Sequence, residues 1–166
     1  MALPNVFFFD TQPMAKMRPL QVDENGTAVP LDDLDLETFG AAQYSQLTWR
    51  SLIDGWACTS CARCQDVCPA YASGKALNPM QIIHDVRAYA NEHSQLLLSG
   101  ETPEEDIITR FSESAIWACT TCNACVDVCP VNIEHVPKLT DARRHLMMER
   151  MEFDESVEET VMPLMM

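Results

Sequence analysis

Apolar residues recur at helical spacing in four stretches of the chain, and no stretch alternates convincingly as a strand would. Trp49, Leu52, Ile53 and Trp56 fall at i, i+3, i+4 and i+7, which predicts a short amphipathic helix running into Cys58. Asn78-Pro79-Met80-Gln81 reads as an N-cap, a proline at the first helical position and a glutamine three residues past the cap. Ile82, Ile83, Val86, Tyr89 and Ala90 continue that helix, with Gly100 as its stop. Thr102-Pro103-Glu104-Glu105 repeats the start signal ahead of Ile107, Ile108 and Phe111, in a helix with a break near Ser112. Val136, Leu139, Ala142 and Leu146 mark a last long helix, with Arg143, Arg144 and Arg150 in its polar register. The pattern predicts an all-α core.

Residues 1–40 carry prolines at 4, 13, 19 and 30, a turn at Asn25-Gly26 and the acidic stretch Asp32-Asp33-Leu34-Asp35, without a sustained period. They read as an extended N-terminal arm lying over a partner or over the domain itself, which occupies 41–150. Residues 151–166 form an acidic, Met-rich tail. Six of the ten methionines fall between 147 and 166, where they serve to pack the last helix or to form an adaptable docking surface.

Charge narrows the partners. A formal charge of −14 leaves no basic surface to displace phosphate counterions, so nucleic acid is excluded. Such acidity serves solubility, or faces a basic partner protein. The run Val6-Phe7-Phe8-Phe9 ends at Asp10, and no transmembrane segment or secretory signal is legible, so the expected location is cytoplasmic.

The chemistry lies in the cysteines. "WACTSCARCQDVCP" at 56–69 and "WACTTCNACVDVCP" at 117–130 agree at ten of fourteen positions and contain all eight cysteines. Each reads Cys-x2-Cys-x2-Cys-x3-Cys-Pro, the bacterial-type spacing for [4Fe–4S] clusters. Three closely spaced thiolates on one looping segment cap three irons of a cube, while the fourth lies past the turn and ligates the other cluster. The expected sets are Cys58, Cys61, Cys64 and Cys129 for one cluster, and Cys119, Cys122, Cys125 and Cys68 for the second. Structural zinc fits four thiolates within eleven residues poorly. A c-type haem needs a histidine where Gln65 and Val126 stand. Disulfides need an oxidising compartment.

Backbone amides at Thr59 and Thr120, after the first cysteine of each motif, are placed to donate to cluster sulfur. Trp56 and Trp117 read as apolar shielding and helix packing, with an electron-relay role as the alternative. His84, His93, His135 and His145 share no ligand pattern and read as ordinary helix residues.

The doubled motif, with about fifty residues of helix between its copies, resembles the α-helical ferredoxin domain found in iron–sulfur subunits of heterodisulfide reductase, succinate dehydrogenase and glycolate oxidase. "ETFGAAQYSQLTWRSLIDGWACTSCARCQDVCPAYASGKALNP", "LPNVFFF" and "CPVNIEHVPKLTDARRHLMMERMEF" resemble one branch more closely. That branch is the iron–sulfur region of membrane-linked, heterodisulfide-reductase-like proteins that pass electrons from electron-transfer flavoproteins to quinone. Such proteins add transmembrane helices before this region and Cys-Cys-Gly modules after it. The resemblance therefore implies a stand-alone electron-carrying subunit or one piece of a larger protein.

Together these readings predict an α-helical ferredoxin with two [4Fe–4S] clusters. It would relay single electrons from a flavoprotein-type donor to a quinone- or disulfide-type acceptor, as a non-catalytic component of an oxidoreductase complex. The implied partners are a flavoprotein or other redox subunit and a membrane-bound or Cys-Cys-Gly-containing protein. Through them the chain would sit at the inner face of a membrane. Two other readings stay open: a scaffold in which the clusters are structural staples, and an enzyme subunit whose substrate site a partner completes.

Overall fold

The computed structural model describes residues 2–8, 19–20, 28–33 and 39–150 of the chain. The tail 151–166, the Asn25-Gly26 turn and most of the arm lie outside them. In chain order the helices are α1 (Leu3–Phe7), α2 (Trp49–Ala57), α3 (Arg63–Asp66), α4 (Pro69–Ala72), α5 (Pro79–Glu92), α6 (Ser94–Ser99), α7 (Ile107–Phe111), α8 (Glu113–Ala118), α9 (Ala124–Asp127) and α10 (His135–Met148). No strand occurs among the described residues, and no helix among them is long and apolar enough to cross a membrane.

Helices α5 and α10, fourteen residues each, carry the core. The Asn78 side chain accepts from the Met80 and Gln81 amides at 3.0 and 3.4 Å, and Pro79 needs no partner at the first helical position. Ile82, Ile83, Val86, Tyr89 and Ala90 are all buried on α5, which packs against α2 and α7. Each fully buried aliphatic side chain contributes about 1.5–3 kcal/mol through loss of water contact. On α10 the buried stripe is Val136, Leu139, Ala142 and Leu146, and the helix packs on α8, α5 and α9.

Three local departures from the pattern have physical causes. The start signal at Thr102 is not used, and α7 begins at Ile107. Tertiary contacts hold this segment: the Glu105 carboxylate accepts from Arg110 at 2.9 and 2.8 Å, its carbonyl accepts the Tyr89 hydroxyl at 2.6 Å, and the Ile107 amide donates to the Ala42 carbonyl at 2.9 Å. The helix expected to reach Gly100 breaks at His93, and Gly100, at φ 80°, caps α6 instead.

The third departure concerns α2, where Ser51, Asp54, Gly55 and Ala57 are buried, Leu52, Ile53 and Trp56 are half-buried with Leu52 against the core, and Trp49 is 64% exposed. Gly55 permits this, since a Cβ there would lie 3.3 Å from the Arg87 backbone nitrogen on α5. Asp54 requires it. Its carboxylate, 0% exposed, meets the equally buried Lys138 ammonium at 2.5 Å and accepts from Asn5 at 2.6 Å and the Glu134 amide at 3.3 Å. This buried pair ties α1, α2 and α10 together. Within the expected extended arm, Leu3–Phe7 is therefore a short docked helix, started by Pro4 and anchored by the buried Asn5.

Candidate iron–sulfur centre

Each cysteine motif folds into the same loop. Ser60 and Ala62 have φ of 55° and 62°, and their counterparts Thr121 and Asn123 have 54° and 61°. These left-handed residues turn the chain tightly around the cysteines and leave backbone N–H groups pointing inward. The Ser60 amide donates to Cys58 Sγ at 3.4 Å, and the Thr121 amide to Cys119 Sγ at 3.4 Å. Within the loops these amides come one residue later than Thr59 and Thr120, where the chain turns left-handed, and the Ile133 amide donates to Cys129 Sγ at 3.4 Å. The short helices α3 and α9 after the loops pack on each other, and Cys64 and Cys125 share a buried cluster with Val136.

The eight cysteines surround two cavities. The first holds about 290 Å³ of space free of atoms, mouth included, and its lining contains Cys58, Cys61, Cys64 and Cys129 together with Arg63, Met80 and His135. The second holds about 330 Å³, and its lining contains Cys68, Cys119, Cys122 and Cys125 with Leu77, Asn123 and Leu139. The structure therefore brings three cysteines of one motif together with the last cysteine of the other, twice.

Electrostatics groups the thiols the same way. Burial pushes the Cys64 thiol up to about 11, and Cys58, Cys129 and Cys61 push it in the same direction. Burial pushes Cys125 up to about 12, with Cys119, Cys64, Cys122 and Cys68 adding to it. Of these four neighbours only Cys64 belongs to the opposite cavity. Thiols held this high must give up their protons when they bind iron, whose positive charge favours the thiolate.

The lining fits a cluster. Zinc would need thiolates about 2.3 Å from one point. Among the described residues no three His, Cys, Asp or Glu side chains converge in that way; the cysteines ring volumes instead. His135, 2% exposed, lines the first cavity, and its Nδ1 has no hydrogen-bond partner among the described residues. Burial holds this imidazole at a pKa of about 4, with Lys138 lowering it further.

The surroundings of the two loops differ. Beside the first, His84 Nε2 lies 3.0 Å from Ser60 Oγ and 3.8 Å from Cys58 Sγ. Burial and Arg87 hold that ring below the ordinary histidine range. Beside the second, the Arg143 guanidinium donates to the carbonyls of Ile116 at 2.6 and 3.0 Å, of Trp117 at 3.4 Å and of Cys119. It lies over the Trp117 ring, 5.5 Å from its centroid.

The sequence pattern puts Arg143 on the polar side of α10. Its spacing nevertheless points inward, four residues after Leu139 and three before Leu146, both buried. His84 and His135, which read as ordinary helix residues, both border the first cavity or its loop; no spacing signal marks either one.

Residues 54–133 match the family model of the 4Fe–4S dicluster domain. Among curated proteins, the chain is 35% identical over 139 residues to a probable membrane-anchored ferredoxin of Chromohalobacter salexigens, covering 74% of this chain and 21% of that one. It is 32% identical over 167 residues to the EtfAB:quinone oxidoreductase of Syntrophomonas wolfei, covering 87% and 22%. It is 31% identical over 94 residues to a component of the ferredoxin:CoB-CoM heterodisulfide reductase of Methanosarcina mazei, covering 55% and 46%. The chain thus spans about a fifth of the length of the first two relatives. No solved structure matches it. The loops, the paired cavities and these relatives agree: residues 54–133 form a 4Fe–4S dicluster domain, and its cofactors are two [4Fe–4S] clusters.

Proposed function

We propose that the chain relays single electrons through its two clusters, one held by Cys58, Cys61, Cys64 and Cys129 and the other by Cys119, Cys122, Cys125 and Cys68. The observation that carries this reading is the pair of four-cysteine cavities that meet at Cys64 and Cys125, both buried in one small apolar cluster. Exchange of the fourth ligand would fix the two sites side by side, as electron transfer between them requires. The clusters supply the redox chemistry. The chain supplies thiolate ligands, amide donors at Ser60, Thr121 and Ile133, and an apolar wall on the buried side of each site, with Cys61 and Cys122 at the exposed side.

The donor we assign is a flavoprotein, and the acceptor a quinone- or disulfide-type centre on a partner redox subunit. Relatives named as an EtfAB:quinone oxidoreductase and as part of a heterodisulfide reductase support that pairing. A partner at the membrane would place the chain at the inner face, in keeping with the relative named as membrane-anchored. The domain proper runs from about residue 41 to 150 and the remaining segments flank it; the buried Phe39 and the contacts of α1 support packing of some flanking residues against the domain.

The test is made on anaerobically purified chain. It should contain about eight iron and eight sulfide, be reduced reversibly by dithionite, and lose visible absorption when mixed with a reduced electron-transfer flavoprotein. Zinc without visible absorption would end the cluster reading. Two clusters that accept no electron would end the relay reading and leave them as structural staples.

A further inference from the structure

We propose that Arg143 raises the reduction potential of the cluster site at Cys68, Cys119, Cys122 and Cys125 above that of its partner site, so that an electron shared between the two rests there. The inference builds on the relay reading.

The argument starts from charge compensation. Every hydrogen bond of Arg143 among the described residues goes to a neutral carbonyl, those of Ile116, Trp117 and Cys119, and its remaining contact is the Trp117 ring. No carboxylate among them offsets it. The second cavity's lining brings no charged side chain besides its own cysteines. The guanidinium therefore presents a whole positive charge to a loop that carries three of the four thiolates.

The first site has no equivalent among the described residues. Arg87 is the ninth residue of α5 as Arg143 is of α10, and its backbone packs on Gly55, two residues from the end of α2. Yet Arg87 makes no hydrogen bond to the first loop, which meets the imidazole of His84 instead. The buried cations nearby are matched: Lys138 by Asp54, and Arg50 by Glu134 at 3.5 Å. Arg63 lines the first cavity but is exposed, where water and salt screen it.

Reduction adds one negative charge to a site and removes one from its donor. A fixed, half-buried cation favours the reduced form of whichever site it borders. When one electron passes from the first site to the second, the first is oxidised and the second reduced, and no proton is needed to balance the step.

The experiment is an anaerobic potentiometric titration of the full chain, followed by electron paramagnetic resonance, for wild type, Arg143→Gln, Arg143→Lys and Arg63→Gln. Wild type should reduce in two steps. Arg143→Gln should lower the upper step and leave the lower one in place, changing the ratio of reduced second to reduced first site by about tenfold or more, which is about 59 mV for one electron. Arg143→Lys keeps the charge without the fork and should retain most of the separation. Arg63→Gln should leave the upper step unmoved.

A lower step that moves with Arg143→Gln, an upper step that does not, or equal shifts in the lysine and glutamine variants would overturn the assignment. Should Arg143→Gln lose iron, Cys129→Ala and Cys68→Ala read the order directly: the first should retain the upper step and the second the lower, and the reverse order would overturn the proposal. Two reversible steps indifferent to Arg143 would sink this inference alone. A fully loaded chain that takes up no electron would sink the relay reading.

Discussion

The loops at Cys58–Cys68 and Cys119–Cys129 are two copies of one backbone placed in different surroundings. Their left-handed residues agree within a degree, 55° with 54° and 62° with 61°, and each makes the same amide-to-sulfur bond at 3.4 Å. Around that shared backbone the neighbours differ. The first loop follows a helix that buries Asp54 and faces His84; the second follows one that buries Ala115 and Ile116 and is clasped by Arg143. Local sequence sets the loop that binds a cluster, and tertiary neighbours set what each cluster experiences.

Removing the metal should erase both copies together. The loops bring eight cysteine side chains around two cavities, so cluster binding is part of folding energy. Chelation after oxidation should cost a large share of helical far-UV circular dichroism, and unchanged helix in iron-free protein would contradict this. Loading should also depend on pH. Cys64 and Cys125 stand above the ordinary thiol value of 9.0 and must lose protons to bind iron, so loading releases protons and weakens as pH falls. An acid titration followed by visible absorption should show both sites losing iron as pH falls, and iron retention independent of pH would contradict this.

A smaller effect separates the halves. Asp54 and Lys138 form a fully buried pair beside the first loop, and the matching position of the repeat is Ala115. Asp54→Ala leaves the Lys138 ammonium buried without its carboxylate and should cost about 3–5 kcal/mol in denaturant unfolding of the loaded protein. Iron should leave the first site before the second. Ala115→Gly, on the other copy, should cost only about 1 kcal/mol.

Much of this organisation is legible in the sequence, and the exceptions share a cause. The core stripes of α5 and α10, the Asn78 cap and the break at Ser112 follow from period and capping chemistry, which act over a few residues. The grouping of Cys129 with Cys58 around one cavity, and of Cys68 with Cys119 around the other, matches the spacing rule for doubled motifs. The buried face of α2 is not legible. Its apolar stripe is Trp49, Leu52, Ile53 and Trp56, but Asp54 finds Lys138 eighty-four positions away and is buried beside it, leaving Leu52, Ile53 and Trp56 only half-buried and Trp49 exposed. Arg143 escapes for a related reason: an arginine reads as solvent-facing until the carbonyls of another helix end are known to meet it.

The smallest contrast lies in the left-handed positions. Ala62 and Asn123 occupy equivalent turns at φ of 62° and 61°. Alanine has no side-chain group to offset this conformation, whereas asparagine tolerates it. Ala62→Gly should therefore stabilise the loaded protein by about 0.5–1 kcal/mol, while Asn123→Gly should be close to neutral. Equal shifts in the two unfolding midpoints would show that alanine and asparagine bear this turn alike.

The exchange of fourth ligands is the central claim, and one mapping measurement addresses it. Cys68→Ala, purified anaerobically, is alkylated under native conditions, and each cysteine peptide is scored by mass spectrometry. Exchanged ligands predict label on Cys119, Cys122 and Cys125 and protection of Cys58, Cys61, Cys64 and Cys129. Label on Cys58, Cys61 and Cys64, with the second motif protected, would mean that each motif holds its own cluster and would contradict the account.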